Sequence, residues 1–250
     1  MRTVLRQFRA VRQLVATAVA FLAALLVVSC APAFAGEMTP SGSGVDTALV
    51  VSIDVSSSVN EKRFNLQLEG IAKALEDREV INSILGGPAG QVMISVVTWA
   101  DHARIAVPFT LVKSQADATA LAAKVRALPQ QDGEFTCLAK MMRFVADKVL
   151  VRLPVPATKT IIDVSGDGSD NCNSGGLLEA SRTDLVNGGA TINGLPILEG
   201  ETAADLEQWY EQNVIGGIGA FLMPAAGYDD FARAFRQKFL IEMSQLRDGD

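Results

Sequence analysis

The amino-acid sequence predicts an α/β fold, in which a doubly wound, mostly parallel sheet has helices on both faces and one antiparallel edge strand. Short apolar runs rich in Val and Ile alternate with longer segments whose apolar residues have helical spacing, as is typical of parallel strands joined by helices. The segments 92–99 and 104–111 are separated only by a tight turn, which indicates an antiparallel hairpin. The 250 residues are enough for one such domain with a substantial core.

Residues 1–35 are expected to be a secretory signal peptide rather than part of the fold. Four arginines precede an uncharged, mostly apolar stretch at 14–28, which is short for a membrane span, and Ala33-Phe34-Ala35 is a suitable cleavage site. Residues 36–45 are predicted to be a flexible lead-in rich in Gly and Ser, followed by the α/β domain at 46–246.

A second processing site competes with the first. Val27-Val28-Ser29-Cys30 resembles a bacterial lipoprotein box, in which Cys30 would be acylated and become the new N-terminus. Cleavage after Ala35 is favoured because that site is cleaner. Both outcomes export the protein, to the periplasm or beyond, and contact with a membrane is expected only if Cys30 is lipidated.

The charge of the exported chain argues against nucleic acid as a partner. The sequence has 22 basic and 28 acidic side chains, and four of the basic ones precede residue 36, so 18 and 28 remain, a net charge of −10. Such a surface repels nucleic acid and anionic membranes.

The elements follow one another at the spacing that a doubly wound domain requires. Strands are expected at 47–54, 92–99, 104–111, 160–164, 190–198 and 220–224, and helices at 60–85, 114–128, 136–151, 177–186, 202–212 and 228–246. Gly86-Gly87-Pro88 ends the first helix, and Gly188-Gly189 ends the helix at 177–186.

The first predicted strand ends in a group of oxygen-bearing side chains: Asp54, Ser56 and Ser58. One carboxylate with two hydroxyls suits a hard cation such as Mg²⁺, whereas a polar turn in which Ser58 or Asn60 caps the next helix is an equally simple interpretation. Thr136, at a predicted helix start, and Asp167, after the strand at 160–164, lie in loops that can meet at the same sheet edge. Together the five residues form an oxygen-only set with about the ligand count that octahedral Mg²⁺ requires.

These residues resemble the metal-ion-dependent adhesion site of von Willebrand factor A domains, whose pattern is Asp-x-Ser-x-Ser, then a distant Thr, then a distant Asp followed by Gly. Three further segments are similar to a bacterial group of such proteins, domain of unknown function family 1194: 162–168 (IDVSGDG), 191–197 (TINGLPI) and 214–221 (VIGGIGAF). The resemblance extends over nearly the whole chain after the signal peptide.

The resemblance implies a role for each residue of the site. Ser56, Ser58 and Thr136 would be hydroxyl ligands of Mg²⁺ or Mn²⁺, and Asp54 and Asp167 would hold the ion directly or through water. A partner protein would complete the coordination with an Asp or Glu. The implied function is a non-catalytic, cation-dependent protein-binding module of the bacterial envelope.

The chain departs from the family pattern in the second loop, where Phe135 and Cys137 flank Thr136 in place of small residues. It also has Asn213 where family members commonly have Cys. Because the resemblance places the second and third loops side by side, and because exported proteins favour disulfides, Cys137 and Cys172 are expected to be bonded rather than two buried thiols.

Two alternatives remain. The same carboxylate and hydroxyl cluster is compatible with a Mg²⁺-dependent hydrolase, although no general base is evident, since the single His102 lies in a hairpin turn. The ion can also be purely structural. Asp163 interrupts an apolar strand and is expected to be a buried, hydrogen-bonded carboxylate that supports the third loop.

Overall fold

A computed structural model describes residues 44–172, 175–200 and 203–244. Within these residues the strands form one sheet in the order β3-β2-β1-β4-β5, in which only the β2–β3 pair is antiparallel. The strands are β1 (Val45–Asp54), β2 (Val92–Trp99), β3 (Ala103–Val112), β4 (Ala157–Gly166) and β5 (Ala190–Pro196). The predicted fold class is therefore confirmed.

The apolar runs form the central strands because both faces of the sheet are covered, so that every residue of β1 and β2 is buried. β1 lies between β2 and β4, with Ile53 in register with Ser165 of β4 and with Thr98 of β2. The loops that follow β1 and β4 therefore leave the same edge of the sheet side by side.

Helices cover both faces of this sheet. They are α1 (Glu61–Glu76), α2 (Arg78–Leu85), α3 (Gln115–Arg126), α4 (Leu138–Phe144), α5 (Leu177–Asn187), α6 (Ala203–Asn213) and α7 (Phe231–Ser244). On one face, α1, α2, α3 and α7 pack over side chains such as Leu49, Val51 and Ile53. On the other, α4, α5 and α6 pack over Val50, Val97 and Trp99. Alternate residues of β1 thus belong to different cores, as the pleat of a strand requires.

The predicted helix at 60–85 is two helices, because Asp77 interrupts it. Asp77 has an extended backbone, and its carboxylate accepts hydrogen bonds from the N–H groups of Glu79 (2.9 Å) and Val80 (3.2 Å). A side chain that caps a new helix competes with continuation of the old one.

The helix predicted at 136–151 begins later, at Leu138, and continues after Phe144 as a π-helical turn at Val145–Val149. The prediction of a regular strand at 220–224 is wrong. The segment after α6 runs beside β5 through isolated bridges, including Gly194 with Leu222 and Ile197 with Ala225.

The predicted signal peptide, the lipoprotein alternative at Cys30 and residues 36–43 of the lead-in lie outside the described residues. Where the structure does describe the chain, it contains no helix that is long and apolar enough to span a membrane.

Candidate metal centre

The loop after β1 holds its side chains in a fixed arrangement. The Asp54 carboxylate Oδ1 accepts a hydrogen bond from the Ser56 N–H (2.8 Å), and the Val59 N–H donates to the Ser56 carbonyl (2.8 Å). The amide of Gln67, from α1, donates to the Asp54 carbonyl (3.3 Å). Ser56 is buried, whereas Ser58 is exposed, so the loop leads from the core to the surface.

The structure brings all five predicted residues together. The Ser58 hydroxyl donates to Asp167 Oδ1 (2.6 Å), and the Oγ atoms of Ser56 and Ser58 are 3.3 Å apart. The Thr136 hydroxyl donates to Ser56 Oγ (3.4 Å), so the second loop joins the same group. We call these residues, together with Asp54, the oxygen cluster.

A covalent bond and a pair of hydrogen bonds hold the second loop against the third. Cys137 and Cys172 form a disulfide, as predicted. Next to it, the Thr136 N–H donates to Asn171 Oδ1 (2.7 Å), and the Asn171 N–H donates to the Thr136 carbonyl (3.1 Å). Thr136 is thus positioned by its backbone, even though its neighbour Phe135 is large and partly exposed.

The electrostatics of the oxygen cluster favour a cation. Asp54 is fully buried, and its Oδ2 has no hydrogen-bond partner among the described residues. Burial raises the pKa of Asp54 to about 7, an effect that the nearby Asp167 carboxylate reinforces and the hydrogen bonds from Ser56 oppose. A buried carboxylate oxygen without a donor, next to a second carboxylate and three hydroxyls, fits the oxygen ligands that Mg²⁺ and Mn²⁺ prefer.

Gly166 allows the close approach of the third loop to Asp54. A Cβ atom at this position would lie 2.9 Å from Asp54 Oδ2 and 2.8 Å from the Tyr210 hydroxyl oxygen. Any larger residue would therefore displace either the carboxylate or the tyrosine.

Two tyrosines that sequence reasoning missed lie close to the oxygen cluster. The hydroxyls of Tyr210, in α6, and Tyr228, just before α7, are buried; that of Tyr210 has no hydrogen-bond partner in the described part of the chain, and that of Tyr228 faces Asp167. Burial and the charges of Asp54 and Asp167 raise the pKa of both phenols, so both stay protonated. Their distance from Asp54 along the chain left no local sequence signal.

Arg63, in the first turn of α1, was also missed. Its Nη1 donates to the Ser58 carbonyl (2.6 Å) and lies 3.9 Å from Asp167 Oδ2, while its Nη2 donates to Glu199 Oε1 (2.6 Å). Its spacing of five residues from Ser58, within the first turn of the following helix, was the available signal.

The sheet order and the flanking helices are those of the von Willebrand factor A fold. A model of the family described as "Protein of unknown function (DUF1194)" matches residues 44–247, and the chain belongs to this family. No protein with curated annotation matches the sequence.

Solved structures show the same fold at low sequence identity. Proximal thread matrix protein 1 from the mussel byssus, with a zinc-occupied MIDAS motif, is 16% identical with a TM-score of 0.59, over 80% of this chain and 46% of that one. The vWF domain of the type V pili tip protein Mfa5 from Porphyromonas gingivalis is 13% identical with a TM-score of 0.56, over 84% and 99%. The von Willebrand factor type A structure from Catenulispora acidiphila is 16% identical with a TM-score of 0.55, over 80% and 43%. The chain therefore spans about half the length of the mussel protein.

The described residues contain no group of three or more His, Cys, Asp or Glu side chains that could hold a metal ion. The oxygen cluster has two carboxylates, so hydroxyl groups are essential to any ligand set here.

Proposed function

We propose that this protein is an exported, non-catalytic binding module that captures a partner protein through a divalent cation, Mg²⁺ or Mn²⁺, held by the oxygen cluster. The observation that carries the proposal is the convergence of three separate loops on Ser56 and Ser58, next to the buried Asp54, whose Oδ2 has no hydrogen-bond partner among the described residues. A fold stabilised by packing alone gains nothing from such an atom, because burying it without a donor costs free energy.

Each residue of the oxygen cluster has a role in this proposal. Ser56, Ser58 and Thr136 would offer hydroxyl oxygens to the ion, and Asp54 and Asp167 would hold it directly or through water. The ion supplies a positive centre that accepts one further oxygen, from an Asp or Glu of the partner. Ser58 is exposed, which supports access from solvent at this end of the cluster.

The wider surroundings of the cluster support a rigid binding site. The disulfide and the Thr136–Asn171 hydrogen bonds tie the second loop to the third, so the ligands need little rearrangement before a partner arrives. Preorganisation of this kind lowers the entropic cost of binding. The matrix protein and the pilus tip protein that share the fold are extracellular or surface components by their names, in agreement with an exported module.

Capture from envelope extract tests the proposal. Immobilised protein should retain a partner in Mg²⁺ and release it in chelator, and Ser58→Ala should lose the captured partner. Ser57→Ala is the matched control, because Ser57 lies in the same loop but donates its hydroxyl to the Glu134 carbonyl (3.0 Å) instead of to the cluster. Equal capture by the two variants would contradict the proposal.

The hydrolase alternative makes a different prediction. Activity against phosphate esters that requires Mg²⁺ and disappears in Ser58→Ala but not in Ser57→Ala would replace the binding proposal with a catalytic one.

Export is proposed from the N-terminal sequence alone. The mass of the protein purified from the periplasm should correspond to a chain that begins at Gly36. A mass that corresponds to an acylated Cys30 as the first residue would establish the lipoprotein route instead.

A further inference from the structure

Arg63 places a positively charged group beside the oxygen cluster. Ser58 links Arg63 to Asp167, because its hydroxyl donates to Asp167 and its carbonyl accepts from Arg63 Nη1. Asp167 faces both Ser58 and Arg63, with Oδ1 bonded to Ser58 and Oδ2 3.9 Å from Arg63 Nη1. The guanidinium therefore lies directly against two members of the oxygen cluster.

Groups outside the cluster help to fix the orientation of Arg63. The guanidinium carbon lies 5.0 Å from the ring centroid of Tyr228, at the distance of a cation–π contact. Glu199 accepts from Arg63 Nη2 through Oε1 and from the Tyr228 N–H (3.0 Å) through Oε2. A side chain held in this way offers its donors in a defined direction.

Glu199 is a carboxylate that can be replaced. The side chains of Arg63 and Glu199 are 28% and 40% exposed, and ion pairs at such exposure contribute little to stability. A carboxylate from another molecule can therefore take the place of Glu199 at small cost, and the planar guanidinium is well suited to bind it.

We propose that Arg63 is a specificity-determining residue that binds a second acidic group of the partner, and that Glu199 is the internal competitor for it. This inference rests on the proposed function. The partner's binding segment then has two neighbouring acidic side chains, one for the cation and one for Arg63. The net charge of −10 over residues 36–250 repels such a segment at long range, so its binding depends on these two local positive groups.

A purely structural role for Arg63 predicts a different outcome. If the guanidinium only neutralised the carboxylates of the cluster, its removal would disturb their arrangement and weaken the binding of cation and partner together. In the specificity role its removal weakens acid binding, while cation affinity stays equal or rises, since a positive charge near Asp167 has been removed.

The test uses the purified protein with Mn²⁺ and two capped peptides, Gly-Glu-Asp-Gly and Gly-Gln-Asp-Gly. Relaxation enhancement of the peptide protons by the paramagnetic ion detects even weak binding close to the metal. The protein should bind the diacidic peptide about tenfold more tightly, as expected for one charge-assisted hydrogen-bonded pair. Arg63→Gln should remove this preference without weakening Mn²⁺ binding in calorimetry.

Glu199→Gln removes the competitor's charge and should raise the affinity for the diacidic peptide roughly threefold. In the double variant with Arg63→Gln this gain should vanish, because the two residues act through the same contact. No preference for the diacidic peptide in the Mn²⁺-loaded protein, or a preference that survives Arg63→Gln, would overturn the inference. Absence of Mn²⁺ binding by the unmodified protein would overturn the proposed function itself.

Discussion

Asp54 is the residue of the proposed site whose burial has the clearest cost in folding free energy. Its carboxyl is fully buried, only Oδ1 accepts a hydrogen bond, and Asp167 adds a second negative charge nearby. Because its pKa is raised to about 7 from 3.8, the metal-free protein should lose stability as pH rises from about 4 to about 7. A bound cation removes this cost by pairing with the ionised carboxylate.

The first prediction is that Asp54→Asn stabilises the metal-free protein at pH 8, and that this gain is less than half as large at pH 5 because the loss of stability is then only partly complete. Above pH 7 the variant avoids a buried charge, which corresponds to at most roughly 4 kcal/mol for a shift of this size. Thermal melts in chelator at the two pH values measure the difference, and calorimetry should show that Asp54→Asn no longer binds Mn²⁺. If the stability gained by Asp54→Asn over the unmodified protein were smaller at pH 8 than at pH 5, the argument would be contradicted.

At the scale of elements, the loops after β1 and β4 meet because these strands are neighbours, and the disulfide adds the loop before α4. The Cys137–Cys172 bond closes a segment with a sequence separation of 35 residues. Constraining a loop of this length in the unfolded chain contributes about 4 kcal/mol.

The second prediction is that replacement of both cysteines by alanine lowers stability by about this amount and weakens Mn²⁺ binding by loosening Thr136. Denaturant unfolding measures the first effect and calorimetry the second. Thr136→Val in the intact disulfide background is the control that separates loss of the hydroxyl from loss of the constraint. Unchanged Mn²⁺ affinity in the double alanine variant would show that the disulfide does not position the site.

Helix α7 is attached to the sheet by a buried ionic cluster on the face opposite to Asp54. Lys238 bonds to Asp163 of β4 and to Glu242, and Asn193 of β5 donates to Glu242 Oε1 (2.7 Å). The Lys238 ammonium also lies 5.6 Å from the ring centroid of Phe221. Burial, and then the charge of Asp163, raises the pKa of Glu242 well above its usual value, which favours the protonated form of this carboxyl.

The third prediction contrasts two substitutions in this cluster. Glu242→Gln should leave stability equal or higher at pH 7.5, because a carboxyl whose pKa is raised in the folded chain costs stability as pH rises above about 4.5. Lys238→Met should cost roughly 3–5 kcal/mol, since it leaves Asp163 buried without its cation. Denaturant unfolding at pH 5 and 7.5 measures both, and a strongly destabilised Glu242→Gln would mean that Glu242 is ionised in the folded protein.

Sequence patterns were most informative for the strands. The runs that became β1 and β2 are rich in Val, Ile and other apolar residues, and every residue of both strands is buried, as expected of central strands covered on both faces. The helix break at Asp77 was missed because the apolar periodicity of the segment continues through it. The irregular segment beside β5 was predicted as a regular strand because an apolar run does not reveal whether its backbone hydrogen bonds form a continuous ladder.

The oxygen cluster was found from the sequence because each member follows a strand or precedes a helix in a family-like pattern. Glu199, Tyr210 and Tyr228 were not, because they come to the site from different elements and carry no shared spacing, whereas Arg63 was missed although it lies only five residues after Ser58. Identifying these residues as part of the site requires the positions of α1 and α6 relative to β1, which only tertiary packing determines.

At the scale of the whole molecule, a sheet covered on both faces leaves its carboxyl edge as the place where loops from separated parts of the chain can combine. Here that edge holds the oxygen cluster, the disulfide and the Arg63–Glu199 pair, although the chain from residue 36 onward is strongly acidic. In the proposed function, a bound cation offsets the repulsion between two close carboxylates in this acidic chain.

Titration calorimetry with Mn²⁺ tests the central claim most directly, with Ser58→Ala compared against Ser57→Ala. We expect one binding site in the unmodified protein, loss of binding by at least about tenfold in Ser58→Ala, and unchanged binding in Ser57→Ala, because only Ser58 donates its hydroxyl to Asp167. Equal Mn²⁺ affinity in Ser58→Ala and Ser57→Ala, or no Mn²⁺ binding by the unmodified protein, would contradict the account.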